Sequence, residues 1–297
     1  MLTPAEQLLL ERVNRARLDP LAEAARLGID LNAGLAPGTL DGAPRQPLAP
    51  NLLLTEASRA HGDWLIANDA FSHTGSGGSS AADRVTAAGY DFWTLGENLA
   101  LYRVYPGPID GDAAIEIHHD GLFESPGHRT NLLAVPFREI GIGQSLGPWE
   151  QDDLVWSASI AVETFGSTGT DVRVTGVAFA DGDGDGDYDI GEGAGGLAVA
   201  GGGGSAATAA GSGGYGMVVP GAAGWTDLTV GAAVLRARIG AENAKIDHVE
   251  TAAGEVEIRA SVDLELVSGT SRASLLGAGG LSLHGAAGSE TLAGNAG

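Results

Sequence analysis

Three short segments place ionisable side chains beside glycines or small polar residues: Phe71-Ser72-His73-Thr74-Gly75, Leu95-Gly96-Glu97-Asn98-Leu99 and Glu124-Ser125-Pro126-Gly127-His128-Arg129-Thr130-Asn131. Segments this far apart in the chain meet only through folding. Two neutral imidazoles converging with a carboxylate offer ligands for a divalent cation such as Zn²⁺, with a position left open for water. The same trio can move protons, since an imidazole next to a carboxylate titrates near neutrality. A plainer reading stays open for each residue: Glu97 bonding backbone amides, His128 capping the helix that follows. There is no Gly-x-Ser-x-Gly elbow and no cysteine, so no nucleophile is assigned.

A second constellation is continuous. Asp181-Gly182-Asp183-Gly184-Asp185-Gly186-Asp187-Tyr188-Asp189-Ile190-Gly191-Glu192 follows the EF-hand loop template. Alternate carboxylates point inward in a tightly wound loop, glycine permits the sharp turn, and the distal glutamate binds through both oxygens. The expected ligands for Ca²⁺ are Asp181, Asp183, Asp185, Asp187, Asp189 and Glu192. Without a cation these groups repel one another. The flanks read as strands, so the loop lacks the usual flanking helices.

The elements that must position these groups change character along the chain. Thr3-Pro4-Ala5-Glu6 reads as a capped helix start, and Leu8, Leu9, Leu10, Val13 and Ala16 continue at near-helical spacing. Further helices are expected from Pro20 to Gly28, over 52–68, over 81–88 and over 110–123, the last with Ala114, Ile117 and Leu122 inward. Residues 32–50 read as an irregular connection. Segments 139–144 and 154–160 read as strands, which makes an α+β pattern. Past Gly166-Ser167-Thr168-Gly169-Thr170 helix signals vanish. Val172, Val174, Val177 and Phe179 suggest a strand with a bulge near Gly176. Short strands and a glycine-rich loop at 201–214 then read as a small antiparallel β-sandwich. The expected division is 1–168, 169–250 with the acidic loop, and a β-rich, low-complexity tail at 251–297.

Taken with Leu10-Glu11-Arg12-Val13-Asn14-Arg15-Ala16-Arg17 and Glu139-Ile140-Gly141-Ile142-Gly143, the three segments resemble the bacterial branch of the CAP superfamily (cysteine-rich secretory proteins, antigen 5, pathogenesis-related 1). The resemblance spans roughly residues 5–165 and implies an α-β-α sandwich with His73, Glu97 and His128 lining a cleft. It also implies a second acid, for which Asp83 is the nearest match, and His119 is expected to point into the same cleft, with His118 directed elsewhere. His61 reads as a helix-surface or half-buried residue outside the site. The implied occupant is Zn²⁺ or another divalent cation, or a small lipid, sterol or peptide ligand. A metal-dependent peptide or ester hydrolase is the alternative, and an adhesive surface protein with a vestigial cleft is the third reading. The acidic loop resembles the calcium-bound β-sandwich repeats of bacterial surface adhesins (SdrD B-like). Gly285-Ala286-Ala287-Gly288-Ser289-Glu290-Thr291-Leu292-Ala293-Gly294-Asn295-Ala296-Gly297 resembles the opening of a repeats-in-toxin (RTX) array, a single imperfect unit at a shortened or degenerate end.

Lys and Arg number 16 against 38 Asp and Glu, a net charge of −22, which disfavours nucleic acid as a partner. With no cysteine, disulfides and thiolate metal sites are excluded. No signal peptide and no membrane-length apolar run is visible. The RTX resemblance implies type I secretion through a C-terminal signal, and an extracellular setting in which external calcium fills the loop.

Overall fold

The computed structural model describes residues 1–221, 224–286 and 290–295. Its first helix, α1 (Pro4–Leu18), starts as its caps dictate: the Thr3 hydroxyl accepts from the Glu6 amide while the Glu6 carboxylate accepts from the Thr3 amide. Then come α2 (Pro20–Arg26), β1 (Ala49–Pro50), α3 (Leu52–Ala67), α4 (Ala81–Ala87), β2 (Thr94–Val104), α5 (Gly111–Glu124), α6 (Pro126–Leu132), β3 (Glu139–Gln151) and β4 (Leu154–Ser167). The remaining strands are β5 (Arg173–Ala180), β6 (Ala198–Gly201), β7 (Ala206–Thr208), β8 (Gly214–Val218), β9 (Gly224–Val230), β10 (Ala233–Ile239), β11 (Ala244–Glu250), β12 (Val256–Ala260), β13 (Leu264–Ser268), β14 (Arg272–Leu275), β15 (Leu283–His284) and β16 (Thr291–Ala293). The architecture is α+β.

The chain divides into two compact units. One comprises residues 20–42 and 50–169. Its sheet has the order β1-β3-β4-β2, with β3, β4 and β2 antiparallel. Helix α3 covers one face, where Ser58 donates to the Gly141 carbonyl and the Thr164 hydroxyl. Helix α5 covers the other, with His118 bonded to Ser159. Two layers of helix therefore enclose the sheet. Gly141 permits the α3 contact, because a Cβ there would lie 2.1 Å from the Leu54 carbonyl carbon. Strand β2 was not expected: Leu95-Gly96-Glu97-Asn98 lacks apolar alternation, and pairing with β4 makes it a strand. On α5, Ile115 and Phe123 are buried with Ala114 and Leu122, whereas Ile117 is exposed.

The other unit holds residues 1–19, 43–49 and 170–297. Helix α1 thus groups with the β-rich region, not with residues 20–168 as expected. Polar contacts explain this: Glu11 pairs with Lys245, and Asn243 bonds Gln46 and Pro47. Two six-stranded sheets have the orders β15-β13-β10-β9-β6-β7 and β16-β14-β12-β11-β5-β8. Val174, Leu228, Val230, Leu235, Ile246, Ile258 and Leu264 fill the space between them. These sheets are mixed, not purely antiparallel. Strand β5 pairs parallel with β11 at the same offset before and after Gly176, so no extra residue is inserted there; the ladder is interrupted at Gly176 and Val177, where the Val177 amide donates to the Asp247 side chain. Glycine serves close approach there, since a Cβ would lie 1.9 Å from the Ile246 carbonyl oxygen.

The expected break at residue 250 has no counterpart either. From β12 onward the chain winds alternately between the two sheets: β12, β14 and β16 stack in parallel in one, β13 and β15 in the other. Of the segment likened to an RTX unit, residues 287–289 and 296–297 lie outside the described residues. No helix among the described residues is long and apolar enough to cross a membrane.

Candidate functional site

Glu97 and Asn98 are consecutive on β2 and so point to opposite faces. On the Glu97 side, His73 Nδ1 donates to Glu97 Oε1 at 2.8 Å. The other carboxylate oxygen accepts from Arg84 Nη2 at 2.6 Å. Arg84 also donates through Nη1 to the carbonyls of His73 and Ser79, so it ties the His73 loop to the carboxylate. Glu97 is 5% exposed in its side chain and the His73 ring 60%, which makes one a buried support and the other a surface-facing group. With Nδ1 committed to Glu97, neutral His73 presents a bare Nε2 lone pair.

His61 belongs beside this cluster, contrary to expectation. It is buried, its Nε2–H donates to the Ser72 carbonyl at 3.0 Å, and its ring stacks on Trp64. Burial, then the nearby Arg84 charge, lower its pKa. Sequence reading missed both Arg84 and His61. The one available signal was position: Arg84 follows a capping aspartate, so it leaves the helix in a different direction from Asp83.

On the Asn98 side, the Asn98 amide donates to the His128 carbonyl and to Glu163 Oε2, while Asn131 donates to the Asn98 oxygen. These bonds seat the first turn of α6 against β2. Arg129 completes the seat: fully buried, it caps the end of α5 by donating to the carbonyls of Phe123 and Glu124, and it reaches Ala33. The Ser-Pro-Gly-His-Arg run is therefore a turn locked by its arginine, with His128 projecting half-buried. Burial lowers the His128 pKa, and the charge of His73 adds to that. The ligating atoms of His73, Glu97 and His128 do not all fall within 4.8 Å of one another among the described residues. Glu163 lies behind them, fully buried, with Oε1 lacking a hydrogen-bond partner; burial pushes its carboxyl up to about 7.

Two expected members lie elsewhere. Asp83 is exposed and caps α4, accepting from the Ser80 amide and hydroxyl, which hold its carboxyl below the usual range. Its helix-start position uses up the side chain. His119 is fully buried against Glu23, Nε2 to Oε1 at 3.0 Å. Glu23, His119 and Asp120 converge closely enough for a metal ion, but Arg26 bridges Glu23 and Asp120 and supplies the positive charge itself. Burial pulls the Arg26 guanidinium down, and its bonds to Asp120 and Glu23 outweigh that and raise it. His118 turns to Ser159, with burial lowering it to about 4.

In the acidic loop, ligating oxygens of Asp181, Asp183 and Asp185 lie within 4.8 Å of one another. Glu192 folds back over the loop, accepting from the Gly182 and Asp189 amides. Asp187 departs from the expectation: its carboxylate faces Arg12 at 3.7 Å and Arg15 at 3.6 Å on α1. The template uses a backbone carbonyl at that seventh position, so the side chain is free to turn outward. Asp189 also lies 3.8 Å from Arg12. Burial followed by the Asp185 charge raises its carboxyl.

A sheet between helical layers, with an imidazole–carboxylate pair at its edge strand and a second histidine on the helix beside it, defines a CAP/SCP-type domain. The sequence model of the Cysteine-rich secretory protein family matches residues 10–158, half of the chain, and the chain belongs to that family. It does so with no cysteine at all. Similar solved structures include an extracellular protein containing an SCP domain from Bacillus anthracis str. Ames, at 22% identity and TM-score 0.32, over 42% of this chain and 35% of that one. Others are an outer surface protein of Borrelia burgdorferi (18%, TM-score 0.33, over 55% and 92% of the two chains) and a cysteine-rich secretory protein of Staphylococcus aureus subsp. aureus Mu50 (16%, TM-score 0.26, over 53% and 38%). The chain thus spans about a third of the length of the Bacillus protein. No curated protein matches it.

Proposed function

We propose that this is a secreted binding protein whose cleft offers the Nε2 of His73 and the ring of His128 to a divalent cation of the Zn²⁺ class, or to the polar end of a small lipid, sterol or peptide ligand. The observation that carries the reading is the His73–Glu97 hydrogen bond. A carboxylate on one ring nitrogen fixes the tautomer and raises the basicity of the other, which is how metal-binding histidines are commonly supported. Zinc calorimetry on the wild type and on His73→Ala/His128→Ala tests it. Heat of binding in the first and none in the second is expected; equal binding by both removes the cleft as the site.

The alternative, a hydrolase with Glu97 as general base, is disfavoured because both Glu97 oxygens are engaged, by His73 and Arg84. Turnover of peptide or ester substrates that is lost on chelation would reverse that preference.

A second reading concerns the loop and rests on the convergence of Asp181, Asp183 and Asp185 beneath Glu192. These four carboxylates would hold Ca²⁺, which would neutralise their repulsion and staple the loop between strands. The parallel winding of β12 to β16 supports an RTX-like reading of the tail, and with it export to a calcium-rich exterior. Asp181→Ala/Glu192→Ala should lower the melting temperature only in calcium; identical melting of both proteins in calcium and in chelator sinks the site.

A further inference from the structure

The chain contains a single lysine, Lys245, among 15 arginines. It is not on the surface. Lys245 is 4% exposed, on β11, with its ammonium 2.7 Å from Glu11 Oε2 of α1 and in contact with Asp247 Oδ1. Elsewhere this protein uses arginine for its positive charges. Arginine stays protonated in proteins and cannot act as an amine nucleophile, whereas a buried lysine can lose its proton. The only residue of that kind is placed between two carboxyl groups, with all three side chains at most 10% exposed.

We propose that Lys245 and Glu11 form an intramolecular amide bond that joins helix α1 covalently to strand β11. The roles follow from the contacts. Gln7, 1% exposed, donates through Nε2 to Glu11 Oε1 at 2.7 Å and is placed to stabilise negative charge on that oxygen. Glu11 Oε2 is the oxygen that leaves. Asp247 is held by the Val177 amide at 2.9 Å and touches the ammonium, which makes it the proton carrier. Gly214 makes room for Gln7, since a Cβ there would lie 1.9 Å from Gln7 Oε1.

The step balances within the triad. Asp247 takes one proton from the ammonium, and the freed amine attacks Cδ of Glu11 in its acid form. The Nζ–Cδ bond forms, and charge collects on Oε1 beside Gln7. A second nitrogen proton passes through Asp247 to Oε2, the Cδ–Oε2 bond breaks, and water leaves. Asp247 ends protonated, and nothing is oxidised or reduced. Burial raises the Glu11 carboxyl, outweighing Lys245, and so favours the acid form the attack needs. Burial also pulls Lys245 down, but Asp247 and Glu11 outweigh it and keep most of the amine protonated. That makes the reaction slow, which a bond formed once per molecule tolerates. Contact geometry compensates, because reacting groups held at near-attack distance gain the equivalent of about 10⁵–10⁸ M in effective concentration.

A single lysine makes the test direct. The whole chain carries two amines, the N-terminus and Lys245. Purified wild-type protein, denatured and treated with an amine-reactive reagent, should take one label, and its mass should fall short of the sequence mass by one water. Fragmentation should yield a branched peptide joining residues 11 and 245. Asp247→Ala and Glu11→Ala should restore the second label and the missing water. Two labels on wild-type protein overturn the proposal and leave a buried ion pair. Loss of water mapped to an Asp–Gly pair of the acidic loop, or a branch at Asp247, overturns it equally. The decisive readout is covalent mass on wild-type protein, so it stands even where a variant folds poorly.

Discussion

Glu163 gives the sharpest test of the electrostatics beneath Asn98 and His128. Its carboxyl is fully buried and accepts one hydrogen bond, from Asn98 at 3.1 Å, and burial moves its pKa from 4.5 to about 7. In the unfolded chain the group ionises near 4.5; in the native protein it holds its proton until about 7. Below the lower value both states are protonated and the group is neutral toward stability. Between the two values the unfolded state releases the proton first, so stability falls as pH rises, and it levels off above the upper value. A shift from 4.5 to about 7 is worth about 3 kcal/mol at the rate of ~1.4 kcal/mol per unit. Glu163→Gln keeps the acceptor for Asn98 and removes the ionisation. Any fixed cost of the new amide is the same at every pH, so the wild-type-minus-variant difference isolates the titration. Urea denaturation at pH 4 and pH 8 should show that difference shifting by about 3 kcal/mol in favour of the variant at high pH. Tryptophan emission reports on the right unit, since every tryptophan except Trp225 lies in residues 50–169. A difference that is flat between the two pH values would refute the assigned burial of the charge.

Gly141→Ala should abolish soluble expression or cost about 3 kcal/mol in urea, because the added methyl meets the α3 backbone and has no flexible side chain to displace. Thr3→Ala removes one arm of the α1 capping box and should cost about 1 kcal/mol in denaturant titration, with Thr3→Ser restoring it.

Much of the local structure was legible from residue order. The Thr3-Pro4-Ala5-Glu6 start and the glycine or proline stops are interactions within a few residues, and α1 begins where that signal stands. The segments that supply His73, Glu97 and His128 were also legible, because each pairs an ionisable group with turn residues that favour an element end. The twelve-residue acidic loop announced its periodicity for the same reason.

What the side chains do there was decided by the fold. Residue spacing does not say that Asp83 spends its carboxylate on Ser80, that His119 reaches Glu23, or that Arg84 arrives at Glu97, since each partner comes from the three-dimensional path of the chain. Strand β2 owes its conformation to β4, and the β-rich unit gathers α1 through Lys245 and residues 46–47 through Asn243, each pair more than 190 residues apart in sequence. Short-range hydrogen bonds are written in neighbouring residues, so sequence alone determined the helix starts and the candidate groups. Burial, charge pairing and pKa depend on which distant groups share a water-excluded space, and only the tertiary structure decides that.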